Sequence, residues 1–492
     1  MVVPRINRTG FLLMLLFLIG FFLRFYNIPQ NLFFGPEQGI DFLAIKNIVV
    51  NHSPTLIGSK TDIGGIFHGP VYYYLAAIPF LLSHGSPIFV SLFFIFIHSL
   101  TVFVTYYLGK EMFGKRVGIL AALLFTFAFG AIIYARWLSS PPLSIFFSGL
   151  YFLFLNRFLK GHKFSLIWAS LVFCLLGEVE FLNFIFYSII TLLIIFFFHK
   201  EFIKHRLITL ASLLVLVIGS ISNYLLFDFR HNFLITKGIT KLALGESGYY
   251  LSYVNSAKSG LSGLVGGFSY FVLPFQAIAS LLLFIAGLVF LMKLLKENRV
   301  SATLLLLWLT VPALVIIVLR RDALEHFFVS MGIAFILVLA IFIDFVWKKN
   351  QLLGIILSFL IIGLNLYVWD ISIPRNQNIF FQSPQLGLKF SDQLKTIDKI
   401  YQRASGKPFS FQSYTIPYWS QQGWEYLFWY YGKQKYGYEP LHRNTKTLYV
   451  IIQDDPSNKN FQRNWLDNTV SRWGKWNYEF KYGILKVTEL KI

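Results

Sequence analysis

The 492-residue chain is 56% hydrophobic and only 13% charged, against about 25% charged in soluble proteins, which excludes a soluble globular fold and indicates a polytopic membrane protein. Its net charge of +20, from 43 basic and 23 acidic residues, does not indicate a nucleic-acid partner, because much of the excess falls in short loops between apolar runs, where the positive-inside rule accounts for it. Apolar runs near the length of a bilayer core imply helices rather than a strand barrel, and a single cysteine, Cys174, excludes an intramolecular disulfide.

Arg5 and Arg8 precede an apolar run at 11–23 that lacks a small-residue cleavage site, so it reads as an uncleaved anchor helix with a cytoplasmic N-terminus. Residues 27–86 then emerge on the opposite face. Within them the stretch 71–82, interrupted by Pro79, is too short to cross and reads as interfacial or re-entrant. Crossing helices follow at 87–108, 117–134, 143–159 and 164–182, then from 184 to the basic run 199–206, and on to 227. A long outer loop spans 228–267. Three further helices end near 292, 319 and 348, and a last one runs over 352–369. The count is about eleven transmembrane helices, with the Lys- and Arg-rich turns on the cytoplasmic side. Residues 1–370 thus form a helical membrane domain. Residues 371–492 form a small extracytoplasmic α+β domain, in which 447–453 reads as a strand.

With this topology the unusual polar groups collect on the outer face. Glu37 and Asp41, four residues apart, share one face of a helix. A carboxylate beside a bilayer is costly unless it works or is paired, although an ordinary solvated loop charge is the alternative. His68, Arg136, Asp228, Arg230, Arg320, Arg321, Glu325 and His326 lie at outer helix ends or in outer loops, where the charge rule does not put basic residues. Carboxylates mixed with arginines and histidines suit a lipid-linked phosphate, with Arg and His pairing the phosphate and a carboxylate acting as base.

The acidic first outer loop, Gly69-Pro-Val-Tyr-Tyr-Tyr74, Phe113-Gly-Lys-Arg116, Tyr134-Ala-Arg-Trp137, Phe227-Asp-Phe-Arg-His231 and Glu325-His-Phe-Phe328, in this order over residues 1 to about 345, resemble the GT-C glycosyltransferases. The similarity is to the bacterial branch related to protein O-mannosyltransferases and lipid A aminoarabinose transferases. The resemblance implies transfer of a sugar from a polyprenyl monophosphate carrier to an acceptor on the extracytoplasmic side, with inversion. It puts Glu37 at the catalytic acid of the first loop, as general base, with Asp41 orienting the acceptor or sharing that role. His68 falls near a basic phosphate-binding residue of relatives, or is a capped loop residue. Tyr72 and Tyr73 would line the carrier groove, or anchor the chain at the interface.

Arg136 is expected to meet a phosphate or carboxylate. Many relatives carry a second acid shortly afterwards, whereas 138–142 reads Leu-Ser-Ser-Pro-Pro. That departure argues against a metal held by two loops, and no zinc-type His/Cys spacing occurs. The expectation is no metal and no cofactor beyond the lipid-linked sugar as substrate, with arginines stabilising the leaving phosphate; dependence on a divalent ion stays open. Glu178 and Glu180 could supply the missing carboxylate. Asp228 and Arg230 either pair with each other or touch substrate. Arg320, Arg321 and His326 flank a turn where the carrier phosphate, or a lipid headgroup, would sit.

The function expected is therefore a plasma-membrane, polyprenyl-phosphate-sugar-dependent glycosyltransferase acting on a lipid, glycan or protein acceptor. A transporter or flippase of a lipid-linked saccharide is the alternative. It should show internal repeats and polar residues at mid-membrane, and the sequence shows no repeat and few mid-helix charges. A third reading is a scaffold whose C-terminal domain binds a partner. The aromatic run 424–431 suits either carbohydrate stacking or a core helix.

Overall fold

A long apolar run can satisfy its backbone away from water only by closing its own hydrogen bonds, and the α-helix does so. The computed structural model describes residues 8–61, 63–244, 250–374, 387–416, 420–442, 445–456, 458–468 and 470–492; Arg5, used above for orientation, lies outside them, as does the Glu325 side chain. The chain runs through α1 (Arg8–Phe25), the short α2 (Ile28–Asn31), α3 (Pro36–Val49), α4 (Val71–Leu82), α5 (Pro87–Phe113), α6 (Lys115–Phe127) and α7 (Phe129–Arg136). It continues through α8 (Ser144–Leu159), α9 (Ser165–Val179), α10 (Phe181–Lys204), α11 (Arg206–Arg230), α12 (Leu234–Ala243), α13 (Tyr253–Val272) and α14 (Ala277–Glu297). The bundle closes with α15 (Arg299–Leu319), α16 (Gly332–Lys349) and α17 (Gln351–Ser372).

Among the described residues, nine helices are long and apolar enough to cross a membrane, or ten if α6 and α7 form one bent span. The apolar α9, 15 residues long, occupies the remaining expected position, and α4 is the short helix. Most of the spanning stretches of α8 and α16 are buried at the centre, whereas those of α10, α11, α14 and α17 mostly face outward. Leu207, Leu210, Leu214 and Ile218 on α11 are exposed, a surface suited to lipid rather than water. The chain is a multi-pass helical membrane protein.

The segment 228–267 differs from the long loop expected. It folds into α12 and most of α13. Gly260, Gly263 and Gly267 depress the hydropathy of α13, yet they let it approach Ala313 and Ile317, Phe328 and Phe335 closely, as small residues do between membrane helices. Asp228 does not pair with Arg230; its carboxylate accepts the Ile235 N–H at 2.6 Å and the Thr236 hydroxyl at 2.5 Å at the start of α12.

The α6–α7 span bends by 54° at Ala128, freeing backbone groups inside the bundle. Arg24, fully buried on α1, donates to the Phe125 and Thr126 carbonyls at 3.3 and 3.4 Å, and the Asn365 side chain accepts the Phe129 N–H at 2.8 Å. Two polar side chains thereby replace the missing helical bonds, which a break at membrane depth requires.

After α17, a helix α18 (Phe390–Ala404) and a four-stranded sheet form the C-terminal domain. Strand β1 (Ser410–Tyr414) is followed by α19 (Gln422–Leu427), β2 (Thr447–Gln453), β3 (Lys475–Tyr482) and β4 (Leu485–Lys491) in the order β1-β2-β4-β3. The β1–β2 pair is parallel and the others antiparallel. Helix α19 packs on α3, and a Cβ on Gly39 would lie 2.2 Å from the Gly423 nitrogen. Tyr426 packs against Phe34, Phe42 and Phe80, and its hydroxyl donates to the Gly85 carbonyl. Trp424, Tyr426 and Phe428 are buried, so this part of the aromatic run is core and interface rather than an open stacking platform.

Candidate functional site

A cavity of about 1240 Å³ lies where α3, the 53–68 loop, the α9–α10 junction and the segment after α15 converge. Its first wall is α3. Pro36 starts the helix, where a missing N–H costs nothing. Gln38 is buried, with its carbonyl oxygen accepting the Gly35 N–H at 3.0 Å and its amide donating to the Leu138 carbonyl at 3.1 Å. With Gln38 fixed inward, exposed Glu37 and, one turn later, Asp41 line the cavity. Asp41 is 4% exposed and accepts the Tyr73 hydroxyl from α4 at 2.9 Å. Burial pushes its carboxyl up to about 7; the Tyr73 bond opposes this and the Glu37 charge adds to it.

The second wall is a hairpin-like loop. The Gly58 N–H donates to the His68 carbonyl at 2.8 Å and the His68 N–H to the Ser59 carbonyl at 2.9 Å, so Ser59, Lys60, Thr61 and His68 line the cavity. The third wall is the α9–α10 junction. Glu180 adopts extended backbone angles between the helices, is 6% exposed and lines the cavity with Phe181, Leu182 and Ile185. His68 Nδ1 accepts the Phe181 N–H at 3.3 Å and lies 3.7 Å from a Glu180 carboxylate oxygen. Glu178 points elsewhere, accepting from Asn223 Nδ2 at 2.9 Å. Arg321, Asp322 and His326 complete the rim, with Ser139 and Ser140 from the turn after α7 and Gln422 from the C-terminal domain.

Of the residues named from sequence, Glu37, Asp41, His68, Tyr73, Glu180, Arg321 and His326 share this cavity, whereas Glu178 and Asp228 are absent from its lining. Four others are absent as well. Tyr72 is buried, its ring stacked on Phe94 at 5.1 Å. Arg136 donates to the Arg24 and Tyr26 carbonyls and the Asn31 side chain, each at 2.7 Å, so its partners among the described residues are these oxygens rather than a carboxylate. Arg320 turns away because it ends α15 in the left-handed conformation, φ 54°, and its Nε donates to the Leu251 carbonyl at 2.8 Å. Arg230 is exposed at the end of α11.

Lys60, Ser139, Asp322 and Gln422 were not singled out from sequence. Lys60 carried the signal used for Arg136, a cation on the side the charge rule disfavours; Gln422 carried none. Among the described residues, no three His, Cys, Asp or Glu side chains gather as a metal-ligating group. Carboxylates on two walls, cations on the others and an apolar flank of Ile185, Ile316, Leu319 and Phe327 can receive a ligand that is anionic, hydroxylated and attached to a hydrocarbon chain.

Compared by sequence, the chain matches neither a family model nor a curated protein. Its fold is similar to that of ArnT from Cupriavidus metallidurans, solved bound to undecaprenyl phosphate, with a TM-score of 0.63 at 10% identity over 98% of each chain. It is also similar to the oligosaccharyltransferase AglB of Archaeoglobus fulgidus, solved with an inhibitory peptide and a dolichol-phosphate, with a TM-score of 0.55 at 15% identity over 96% of this chain and 72% of that one. Both are GT-C membrane glycosyltransferases. The chain shares the fold of ArnT along 98% of its length, its small C-terminal sheet domain included.

Proposed function

We propose that the protein is a glycosyltransferase that moves a sugar from a polyprenyl-phosphate carrier to an acceptor hydroxyl at the extracytoplasmic face of the plasma membrane, with its N-terminus cytoplasmic. One observation carries this reading: a single cavity joins the Glu37–Asp41 wall, a set of cations and an apolar flank. The similar structures solved with undecaprenyl phosphate and dolichol-phosphate support the choice of carrier.

In this reaction Glu37 takes the proton from the acceptor hydroxyl as that oxygen bonds to the anomeric carbon. The bond from that carbon to the phosphate oxygen breaks on the opposite face, and its electron pair leaves with the carrier. Lys60, Arg321 and His326 surround the departing phosphate, a charge that fixed donors stabilise strongly in a water-poor site. Asp41, held by Tyr73, orients the acceptor. The hydrocarbon chain lies along Ile185, Ile316 and Leu319. The acceptor is a lipid, glycan or protein hydroxyl, and the donor sugar a hexose or pentose.

The test is transfer by the purified chain in lipid, from radiolabelled polyprenyl-phosphate sugars to a membrane extract, comparing wild type with Glu37→Gln. Loss of a general base lowers turnover by about 10²- to 10⁴-fold, and the variant should keep its thermal stability because Glu37 is exposed. Carrier movement across the bilayer without transfer would replace this reading with the flippase.

A further inference from the structure

Glu180 is a carboxylate for which the proposed reaction has no use. It is nearly buried, its side chain makes no capping bond to α10, and it lines the cavity. Its surroundings hold it in place from both sides. The Gly69 N–H donates to the Glu178 carbonyl at 2.8 Å, and Asn223 Nδ2 bridges the Glu178 carboxylate and the Leu56 carbonyl at 2.9 and 3.2 Å. A Cβ on Gly69 would fall 1.9 Å from a Glu178 oxygen, so the junction and the first loop meet as closely as glycine allows. On the other side the Phe181 N–H donates to His68 Nδ1. That bond makes Nδ1 an acceptor and leaves Nε2 as the donor.

The Glu180 carboxylate thus lies 3.7 Å from one imidazole nitrogen and shares the cavity lining with the Phe181 ring and the apolar Leu182 and Ile185. Carboxylates accept hydroxyl protons through two oxygens, and the C–H face of a sugar packs on an aromatic ring. Resting on the transferase reading, we infer that Glu180, with Phe181 and His68, recognises the sugar ring of the lipid-linked donor and determines which sugar is accepted. Glu180 accepts hydrogen bonds from ring hydroxyls, Phe181 covers one face and His68 Nε2 donates to an adjacent oxygen. Glu37 and Asp41 serve the acceptor on the α3 wall.

The experiment is equilibrium binding to the full chain in phosphatidylethanolamine–phosphatidylglycerol nanodiscs. Bare undecaprenyl phosphate is compared with undecaprenyl-phosphate glucose, mannose and arabinose, for wild type, Glu180→Gln and Glu180→Asp. Hydrogen bonds to a charged group predict that wild type binds at least one sugar-bearing carrier about tenfold or more tightly than the bare carrier. Glu180→Gln should erase most of that increment and change bare-carrier affinity by less than about twofold; Glu180→Asp, which keeps the charge and withdraws it by one methylene, should alter the order of preference among the sugars. No increment in wild type, an increment that survives in Glu180→Gln, or an equal loss for bare and sugar-bearing carriers overturns the inference. If Glu180→Gln does not fold, an unaltered sugar order in Glu180→Asp overturns it. Sugar-dependent binding without any transfer by wild type would fail the transferase reading alone, whereas transfer from every donor unchanged in Glu180→Gln would fail this inference alone.

Discussion

The corner where α1, α2 and α7 meet and the α3 wall of the cavity both gather polar side chains at the same end of the bundle, but they use them differently. At the corner, Arg136 is consumed by two carbonyls and Asn31, each 2.7 Å away, and the Trp369 indole donates to the Leu23 carbonyl at 3.1 Å. On the wall, Glu37 and Asp41 border open volume. A helix that ends or breaks exposes carbonyls that need donors, so an arginine in an unexpected place can be the answer to a backbone deficit. At the other end of the bundle, basic residues instead meet acids: Arg157 Nη2 lies 2.6 Å from Glu111 and Lys348 2.8 Å from Asp344.

Four substitutions test this contrast. Gly39→Ala should have the largest effect, because its Cβ would lie 2.2 Å from the Gly423 backbone. Separating α3 from α19 should cost about 3 kcal/mol or more, abolish transfer, and expose the C-terminal domain to limited proteolysis. Retained protease resistance would show that the wall does not depend on that docking.

Arg136→Gln should lower stability by about 2–3 kcal/mol, since it leaves carbonyls without donors. Activity per folded molecule should change little. A thermal melt combined with turnover separates the two, and a loss of turnover at unchanged melting temperature would move Arg136 into the chemistry.

Asp41 gives a pH-dependent contrast. Its carboxyl is raised from 3.8 to about 7, chiefly by burial, so between those values the folded chain holds a proton that the unfolded chain releases. The stability from protonated Asp41 is complete below about pH 4, falls as pH rises, and is gone above about pH 7. Asp41→Asn cannot ionise, so relative to wild type it should gain on going from pH 4 to pH 8, by up to about 4 kcal/mol. Parallel melting-temperature profiles for the two chains would refute this.

Arg230→Gln should do least. The residue is exposed and outside the cavity lining, so stability should move by less than about 0.5 kcal/mol and transfer by less than about twofold. A large loss of transfer would mean that the site extends to the end of α11.

The helices and the strand at 447–453 were legible because hydrophobic length and alternation are local properties, imposed residue by residue by lipid and by the pleat. The spacing of Glu37 and Asp41 likewise fixed their shared face once α3 formed. The helix α13 was not legible, because the glycines that let it pack also lower its hydropathy. The neighbours Arg320 and Arg321 could not be separated either, since a left-handed φ at Arg320 decides which of them faces the cavity.

The sequence alone thus determined that this chain crosses a membrane many times, where its crossings lie, and that acids and cations concentrate near one set of helix ends. Only the tertiary structure decided which of those groups meet. Glu180 turns into the cavity while Glu178 ties α9 to Asn223 and the first loop, and Arg136 serves the backbone while Lys60 lines the site. Spacing along a chain sets which residues share a local face, but the direction of a side chain at a break or a turn depends on backbone angles and on partners brought from distant helices.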